Sequence, residues 1–270
     1  MDFEQLNTSI RRELEGMDAH FSVLIASDEG NLAINDKIVR PAASLAKLPI
    51  LLEACRQIDS EKLHPDKLVY LEEEQFVGGS GVISYLTNCH IYSYMNLIEL
   101  MIMVSDNTAA NVLLDTLGME AVNRTIKNLE MSNTSIKRKF MDTKAQEIGK
   151  ENYTTASDMV TLLKEILTYI SYQPSKSSEI LQNILSKQQL TKKLCNHSHP
   201  RKPATIFHKT GELLGVVHDT TVLEYNEERF YIVVLSEGLT SNAEGQHIIA
   251  KVKKIASDYL LAVSISTLSN

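Results

Sequence analysis

The chain has 270 residues, of which 43% are hydrophobic and 23% charged. That composition describes a globular protein of one or two domains, large enough to bury a real core, and excludes a disordered, collagen-like or low-complexity chain. Acidic residues outnumber basic ones, 34 to 27, for a net charge of −7, so binding along a phosphate backbone is a poor fit and no nucleic-acid partner is expected.

In chain order, Phe3, Leu6, Ile10 and Leu14 recur at helical spacing and predict an opening amphipathic helix. This N-terminal segment, MDFEQLNTSIRRELEG, carries no basic stretch followed by an apolar run, so it does not read as a secretory leader. A cytoplasmic location is therefore expected, although a trimmed secreted form would read the same. His20–Ser27 reads as a strand, a turn follows at Asp28-Glu29-Gly30, and NLAIN is its hairpin partner. From Ser44 an apolar helix begins, LAKLPILLEACRQI, with Pro49 tolerated only near its first turns.

The middle of the chain is mostly helical. Helices are expected over Asn96–Val104, Thr108–Leu117 (closed by Gly118), Val122–Leu129, Thr155–Ile170 and Ser178–Leu190. Ser132–Tyr153 is polar and weakly periodic and reads as a long functional loop. After Pro203, TIFHKT, GVVHDTTVLEY and RFYIVVLSEG read as three strands with a turn at Asn226-Glu227-Glu228, and Glu244–Leu261 as a closing helix. The order implies an α/β (α+β) fold. A five-stranded antiparallel sheet flanked by helices is built from both ends of the chain, with an all-helical domain inserted. The expected domains are 1–43 plus 203–270 for the sheet and 44–202 for the helices, with an active site at their interface. No run of about 18 apolar residues occurs, so no membrane span is expected.

Three short motifs carry chemistry. Ser44-Leu45-Ala46-Lys47 is S-x-x-K at the start of an apolar helix, where i, i+3 spacing places a hydroxyl and an amine on one face. A serine needs a base to attack a carbonyl, and a lysine serves when burial or another cation favours its neutral form. Taken alone the pair also fits a capping serine and a surface lysine. Ser105-Asp106-Asn107 lies between two helices and, alone, fits a helix cap. Lys209-Thr210-Gly211 ends the strand TIFHKT and, alone, fits a glycine turn. Together, in this order and on these elements, S-x-x-K, S-D-N and K-T-G form the signature set of class A β-lactamases and penicillin-binding proteins.

The sequence resembles the class A-like serine β-lactamase family over nearly its whole length. Besides the three motifs, RPAASLAKLPILLEA, GGSGVISYL, MVSDNTAANVLLDTLG, GKENYTTASDM and FHKTGELLGVVHDTTVLE carry the likeness. The resemblance implies that Ser44 attacks a lactam or ester carbonyl and that Lys47 takes its proton or holds it in place. It implies that Ser105 passes a proton to the leaving nitrogen and Asn107 hydrogen-bonds the substrate amide. Lys209 and Thr210 would bind the substrate carboxylate, and Lys209 would help lower the pKa of Lys47. Gly211 would let the substrate lie along the strand edge. Backbone N–H groups of Ser44 and Glu212 would form an oxyanion hole, worth roughly 10²–10³ in rate per donor. Asp106 would stabilise its turn.

One family element is missing. The Glu-x-x-Leu-Asn motif that supplies the deacylating base is absent, and the corresponding loop, SIKRKFMDTKAQEIGKENYTT, offers only Asp142, Glu147 and Glu151. Asp142 is the first candidate for that base, because Phe140-Met141 before it could anchor the loop inward. The alternative leaves all three acids in solvent. General-base catalysis is worth roughly 10²–10⁴, so without it acylation proceeds while the acyl-enzyme drains slowly.

Other polar features read as structural. Cys195-Asn196-His197-Ser198-His199 is expected to be a surface loop rather than a zinc site, and no metal or cofactor is expected. Cys55, Cys89 and Cys195 read as free thiols. His208 and the His218-Asp219 pair have no assigned role. Glu72-Glu73-Glu74 reads as a solvated turn. Lys251, Lys253 and Lys254 read as the exposed face of the last helix. The expected function is a monomeric serine hydrolase acting on a small β-lactam substrate through an acyl-enzyme. The alternatives are a D-alanyl peptidase, an esterase-like hydrolase, a slow-turnover penicillin-binding protein, or a non-catalytic binding protein on the same fold.

Overall fold

A computed structural model describes residues 3–17, 20–28, 30–172, 175–187, 189, 204–225 and 228–267. The elements run α1 (Phe3–Glu13), β1 (Phe21–Ala26), β2 (Asn31–Ile34), β3 (Arg40–Pro41), a 3-10 turn (Ala43–Ala46), α2 (Lys47–Asp59), β4 (Leu68–Tyr70), β5 (Ile91–Ser93) and α3 (Tyr94–Met103). They continue with α4 (Asn107–Leu117), α5 (Met119–Asn128), α6 (Thr143–Glu147), β6 (Tyr153–Thr154), α7 (Ala156–Tyr172), α8 (Lys176–Ser186), β7 (Ala204–Leu213), β8 (Val216–Tyr225), β9 (Glu228–Ser236) and α9 (Asn242–Thr267). The chain falls into two compact units, one of residues 1–45, 155–163 and 190–270, the other of residues 46–154 and 164–189.

The first unit is built on a five-stranded antiparallel sheet in the order β2-β1-β9-β8-β7. Sequence alternation explains one buried face. Phe21, Val23 and Ile25 of β1 join Ile232 and Val234 of β9 and Val217 and Leu223 of β8. They pack against Leu6 and Ile10 of α1, Leu14 just past it, and Ile249, Val252, Ala256, Tyr259 and Leu260 of α9. The opening helical stripe expected from the sequence is thus in the core.

Two details of this unit differ from the sequence reading. Lys209-Thr210-Gly211 does not end its strand. β7 runs on to Leu213, and the hairpin closes over Leu214 and Gly215, whose φ of 70° suits glycine. Lys253 is not on an exposed face either. It is 4% exposed and pairs with the buried Asp219 of β8 at 3.0 Å. Lys253 follows Ile249 by four residues and precedes Ala256 by three, so helical geometry carries it onto the side that faces the sheet.

The second unit gathers α3, α4, α5 and α8 around α2. Ten of the thirteen residues of α2 are buried, including Leu48, Ile50, Leu51 and Leu52, which fits its nearly uninterrupted apolar sequence. Pro49 falls in the first turn, where its missing N–H costs no helical bond. Several ends have sequence-evident caps. Ser93 and Asn96 form a reciprocal box before α3, and the Asp106 carboxylate accepts from Ala109 N at the start of α4. The polar stretch 132–153 is not bare loop, since it contains α6 and ends at β6. Helix starts at Tyr94, Met119 and Lys176 and ends at Ser186 shift the expected boundaries by a few residues. The Cys195–His199 tract lies outside the described residues, as does most of the Asn226–Glu228 turn.

Candidate active site

In the sheet unit, the segment leading to Ser44 is fastened along one side of the strands. Arg40, 3% exposed, donates through Nε to the Ser22 hydroxyl of β1 at 2.9 Å and lies 3.6 Å from Glu237 just past β9. Burial works to pull this guanidinium below its usual pKa, and Glu237 opposes that. At Gly211 of β7 the backbones meet closely. A Cβ there would lie 3.2 Å from both the Ala43 Cβ and the Ser44 nitrogen, so any side chain would displace the serine segment. Ala43 itself holds a φ of 46°, a left-handed conformation that costs energy outside glycine. Ser44 then sits in the 3-10 turn that runs without a break into α2, three residues before Lys47.

In the helical unit, Lys47 is completely buried at the first position of α2. Its ammonium nitrogen meets three oxygens: the Ser105 carbonyl at 2.6 Å, the Asn107 Oδ1 at 2.7 Å and the Ser105 hydroxyl at 3.1 Å. The first two can only accept. The hydroxyl can accept from an ammonium or donate to an amine, so it is the one contact of the three through which a proton can move. Ser105 adopts a left-handed φ of 57°, which turns its carbonyl and hydroxyl toward the same lysine.

The glycine-rich segment before α3 exists to hold this turn. Asp106 accepts from Val82 N at 2.7 Å and Ile83 N at 2.9 Å as well as capping α4. A Cβ on Gly81, whose φ is 112°, would overlap the Asp106 carboxylate, which explains the glycine. Asn107 donates from Nδ2 to the Gly78 carbonyl at 3.0 Å.

The polar loop presents an aromatic ring to the same lysine. Lys47 Nζ lies 4.6 Å over the centroid of Phe140. Asn111 of α4 grips the Phe140 backbone at both ends, accepting from its N at 2.8 Å and donating to its carbonyl at 3.0 Å. Arg138 and Glu151 form a bidentate pair at 2.8–2.9 Å, and Asn152 bonds the backbone of residues 137 and 138. Of the loop acids, Glu151 is therefore committed to Arg138. Asp142 caps α6, its Oδ1 accepting from Ala145 N at 2.9 Å, and Glu147 is exposed on α6. Phe140 is buried as expected, whereas Met141 is 49% exposed.

The remaining predicted residues lie on β7, the edge strand of the sheet. Lys209 is fully buried and donates to the Thr210 carbonyl at 2.8 Å. Thr210 stands opposite Asp219 in register and Gly211 opposite His218. Glu212 continues the strand, and its side chain accepts from Gln246 at 3.2 Å. The structure thus brings Lys47, Ser105 and Asn107 together in one unit, and Ser44 against Gly211 in the other. Sequence reasoning missed Asn111, and it missed Phe140 as a neighbour of Lys47. The apolar Phe140-Met141 pair in a polar loop is the signal the sequence offers for it. Burial pushes the Cys55 thiol up, with Asp59 adding to it, so this cysteine is inert.

An α/β fold with a serine opening an apolar helix and a buried lysine three residues on defines a class of serine hydrolases that work through an acyl-enzyme. The model of the beta-lactamase enzyme family matches residues 4–260, and the chain belongs to that family. It is a serine β-lactamase-like hydrolase. Among solved structures, a β-lactamase from Sphaerobacter thermophilus matches at 24% identity and TM-score 0.84, over 95% of this chain and 97% of that one. A mutant of PBP-A, solved as an acyl-enzyme complex with penicillin G, matches at 22% identity and TM-score 0.83, over 96% and 97%. TLA-3 extended-spectrum β-lactamase matches at 22% and 0.83, over 96% and 100%. A comparison with curated proteins returned no match. No helix among the described residues is long and apolar enough to cross a membrane.

Proposed function

We propose that Ser44 is acylated by β-lactams and that the acyl-enzyme is released slowly, so that the protein works as a penicillin-binding or slow-turnover β-lactamase. The observation that carries this reading is the surroundings of Lys47. Two obligate acceptors and one exchangeable hydroxyl suit a group that receives the Ser44 proton and returns it through Ser105 to the departing nitrogen. Each of these three oxygens is uncharged, and the loop residue against the lysine is Phe140. A ring cannot activate water, and the loop acids are engaged or exposed elsewhere. We read Asp142 accordingly as a helix cap. Acylation then keeps its proton path while hydrolysis lacks roughly the 10²–10⁴ that a general base supplies.

In this reading Lys209 and Thr210 hold the substrate carboxylate, Gly211 admits the substrate along the edge of β7, and Asn107 offers its remaining N–H to the substrate amide. The N–H groups of Ser44 and Glu212 receive the developing oxyanion. A small acyl substrate such as a D-alanyl peptide or ester follows as the second reading, because slow lactam release is what an enzyme suited to another leaving group would display.

The test is incubation with a chromogenic β-lactam, following absorbance and intact mass together. The expected result is a stoichiometric adduct that is lost from Ser44→Ala, with turnover slower than adduct formation. Rapid turnover with no accumulating adduct would reject slow release. A wild type indistinguishable from Ser44→Ala would reject catalysis altogether.

A further inference from the structure

The His218-Asp219 pair on β8 has no part in the chemistry above, yet His218 is fully buried and reaches the nucleophile segment. Its Nε2 lies 2.6 Å from the Pro41 carbonyl, and its Nδ1 accepts from Ser236 N at 3.1 Å. A carbonyl only accepts, so Nε2 carries the hydrogen. The Ser236 N–H only donates, so Nδ1 carries a lone pair. These two partners fix one neutral tautomer.

Each bond has a separate job. The backbone ladder between β8 and β9 extends no further than Asp219–Val234. Beyond it, the Ser236 hydroxyl serves both N–H and C=O of Val217, while His218 Nδ1 serves Ser236 N. This half of the ring finishes the sheet. The other half leaves the sheet and holds Pro41, three residues before Ser44. Gly211 stands directly across from His218 in register and touches Ala43 and Ser44. Arg40 is tied to β1 and to Glu237 past β9. Ala43, in its strained left-handed conformation, lies between the Pro41 and Ser44 fastenings. Such a conformation persists only where the surroundings over-determine it.

We propose that His218 is a positioning residue for Ser44, acting through its Nε2–H bond to the Pro41 carbonyl and separable from its role in closing the sheet. The bond sets where the 3-10 turn begins, and hence where the serine hydroxyl stands relative to an incoming carbonyl. Small displacements of a reacting atom are expensive, with about 1 Å costing up to about a hundredfold in rate.

This inference rests on Ser44 being the acylated residue, and two isosteric variants test it. His218→Gln places an amide N–H near the Nε2 position and keeps the Pro41 bond. His218→Asn places an acceptor near the Nδ1 position and keeps the Ser236 bond while losing Pro41. The measurement is the second-order rate of Ser44 acylation by a chromogenic β-lactam, with intact mass confirming the adduct and melting temperature recorded for each protein. The expected outcome is a loss of about tenfold to a hundredfold for Asn and about threefold or less for Gln, even if Gln is the less stable of the two. Equal losses in both variants, or losses that follow melting temperature, would overturn the positioning role alone. A wild type that gains no mass at Ser44 would remove the nucleophile reading and this proposal with it.

Discussion

Lys47 and Lys253 are both buried lysines, one in each unit, and their surroundings are opposite. Lys253 faces a carboxylate, Asp219 Oδ1, at 3.0 Å, and Thr221 donates to the same oxygen at 2.6 Å. Lys47 meets a peptide carbonyl, an amide oxygen, a hydroxyl and a ring face. Burial favours the neutral amine over the ammonium unless a counter-charge offsets it. The Lys253 site provides that counter-charge. The Ser105 carbonyl and hydroxyl, the Asn107 amide oxygen and the Phe140 ring that meet Lys47 are dipoles, not carboxylates. The same residue type is thus a fastening in one place and, in the function proposed above, a proton carrier in the other.

The largest effects should separate the two. Lys47→Met should slow Ser44 acylation by roughly 10²–10⁴ with little loss of fold, since the aliphatic stem still fills the site. Lys253→Met should leave acylation per folded molecule within about twofold. It strands a buried carboxylate, and Asp219 Oδ2 already has no hydrogen-bond partner among the described residues, so a stability loss of about 3–5 kcal/mol is expected. Adding Asp219→Leu should return most of that loss. Thermal melting and stopped-flow acylation on the same samples make the comparison. A Lys47→Met protein that acylates normally would end the proposed division of roles.

A single isosteric change should make the first lysine resemble the second. Asn107→Asp would put a carboxylate 2.7 Å from Lys47 in place of the amide oxygen. The counter-charge favours the ammonium and raises the pKa at which Lys47 gives up its proton. A base that must be neutral to act then becomes available only at higher pH, so the acid limb of the acylation profile should move upward. At neutral pH acylation should fall by about one to two orders of magnitude, recovering as pH rises. An acid limb that stays where wild type has it would mean that Lys47 does not set that limb.

How much of this was legible in the sequence follows from the range of the forces involved. The five strands and the α1 and α9 stripes came from alternation and helical period, which burial enforces locally. The three motifs marked Ser44, Lys47, Ser105 and Lys209 because their spacing is unusual as a set. Lys253 was misread because three nearby lysines look solvated, although its spacing from Ile249 and Ala256 already placed it inward. The strand past Gly211 was cut short because glycine is a common strand terminator, and only pairing with β8 shows that the ladder continues to Leu213. The meeting of Phe140 with Lys47 joins residues 93 apart and depends on Asn111 gripping the loop backbone. No local pattern encodes such a contact. The Pro41–His218 bond spans 177 residues and is invisible for the same reason.

The smallest effect concerns the loop acid that the missing family motif made the first candidate for a base. Asp142 spends Oδ1 on Ala145 N, and asparagine caps a helix about as well as aspartate does. Asp142→Asn therefore keeps the cap, removes the basic carboxylate and leaves the loop's other fastenings at Arg138, Asn152 and Asn111 untouched. If the carboxylate only caps, deacylation should stay within about twofold of wild type and stability within about 0.5 kcal/mol. If it activates water, deacylation should fall by roughly 10²–10⁴ while acylation is unchanged. Following decay of the preformed adduct by mass distinguishes these outcomes directly, because acylation is already complete when the measurement begins. A large fall would restore Asp142 as the base and would mean that the uncharged surroundings of Lys47 do not make release slow.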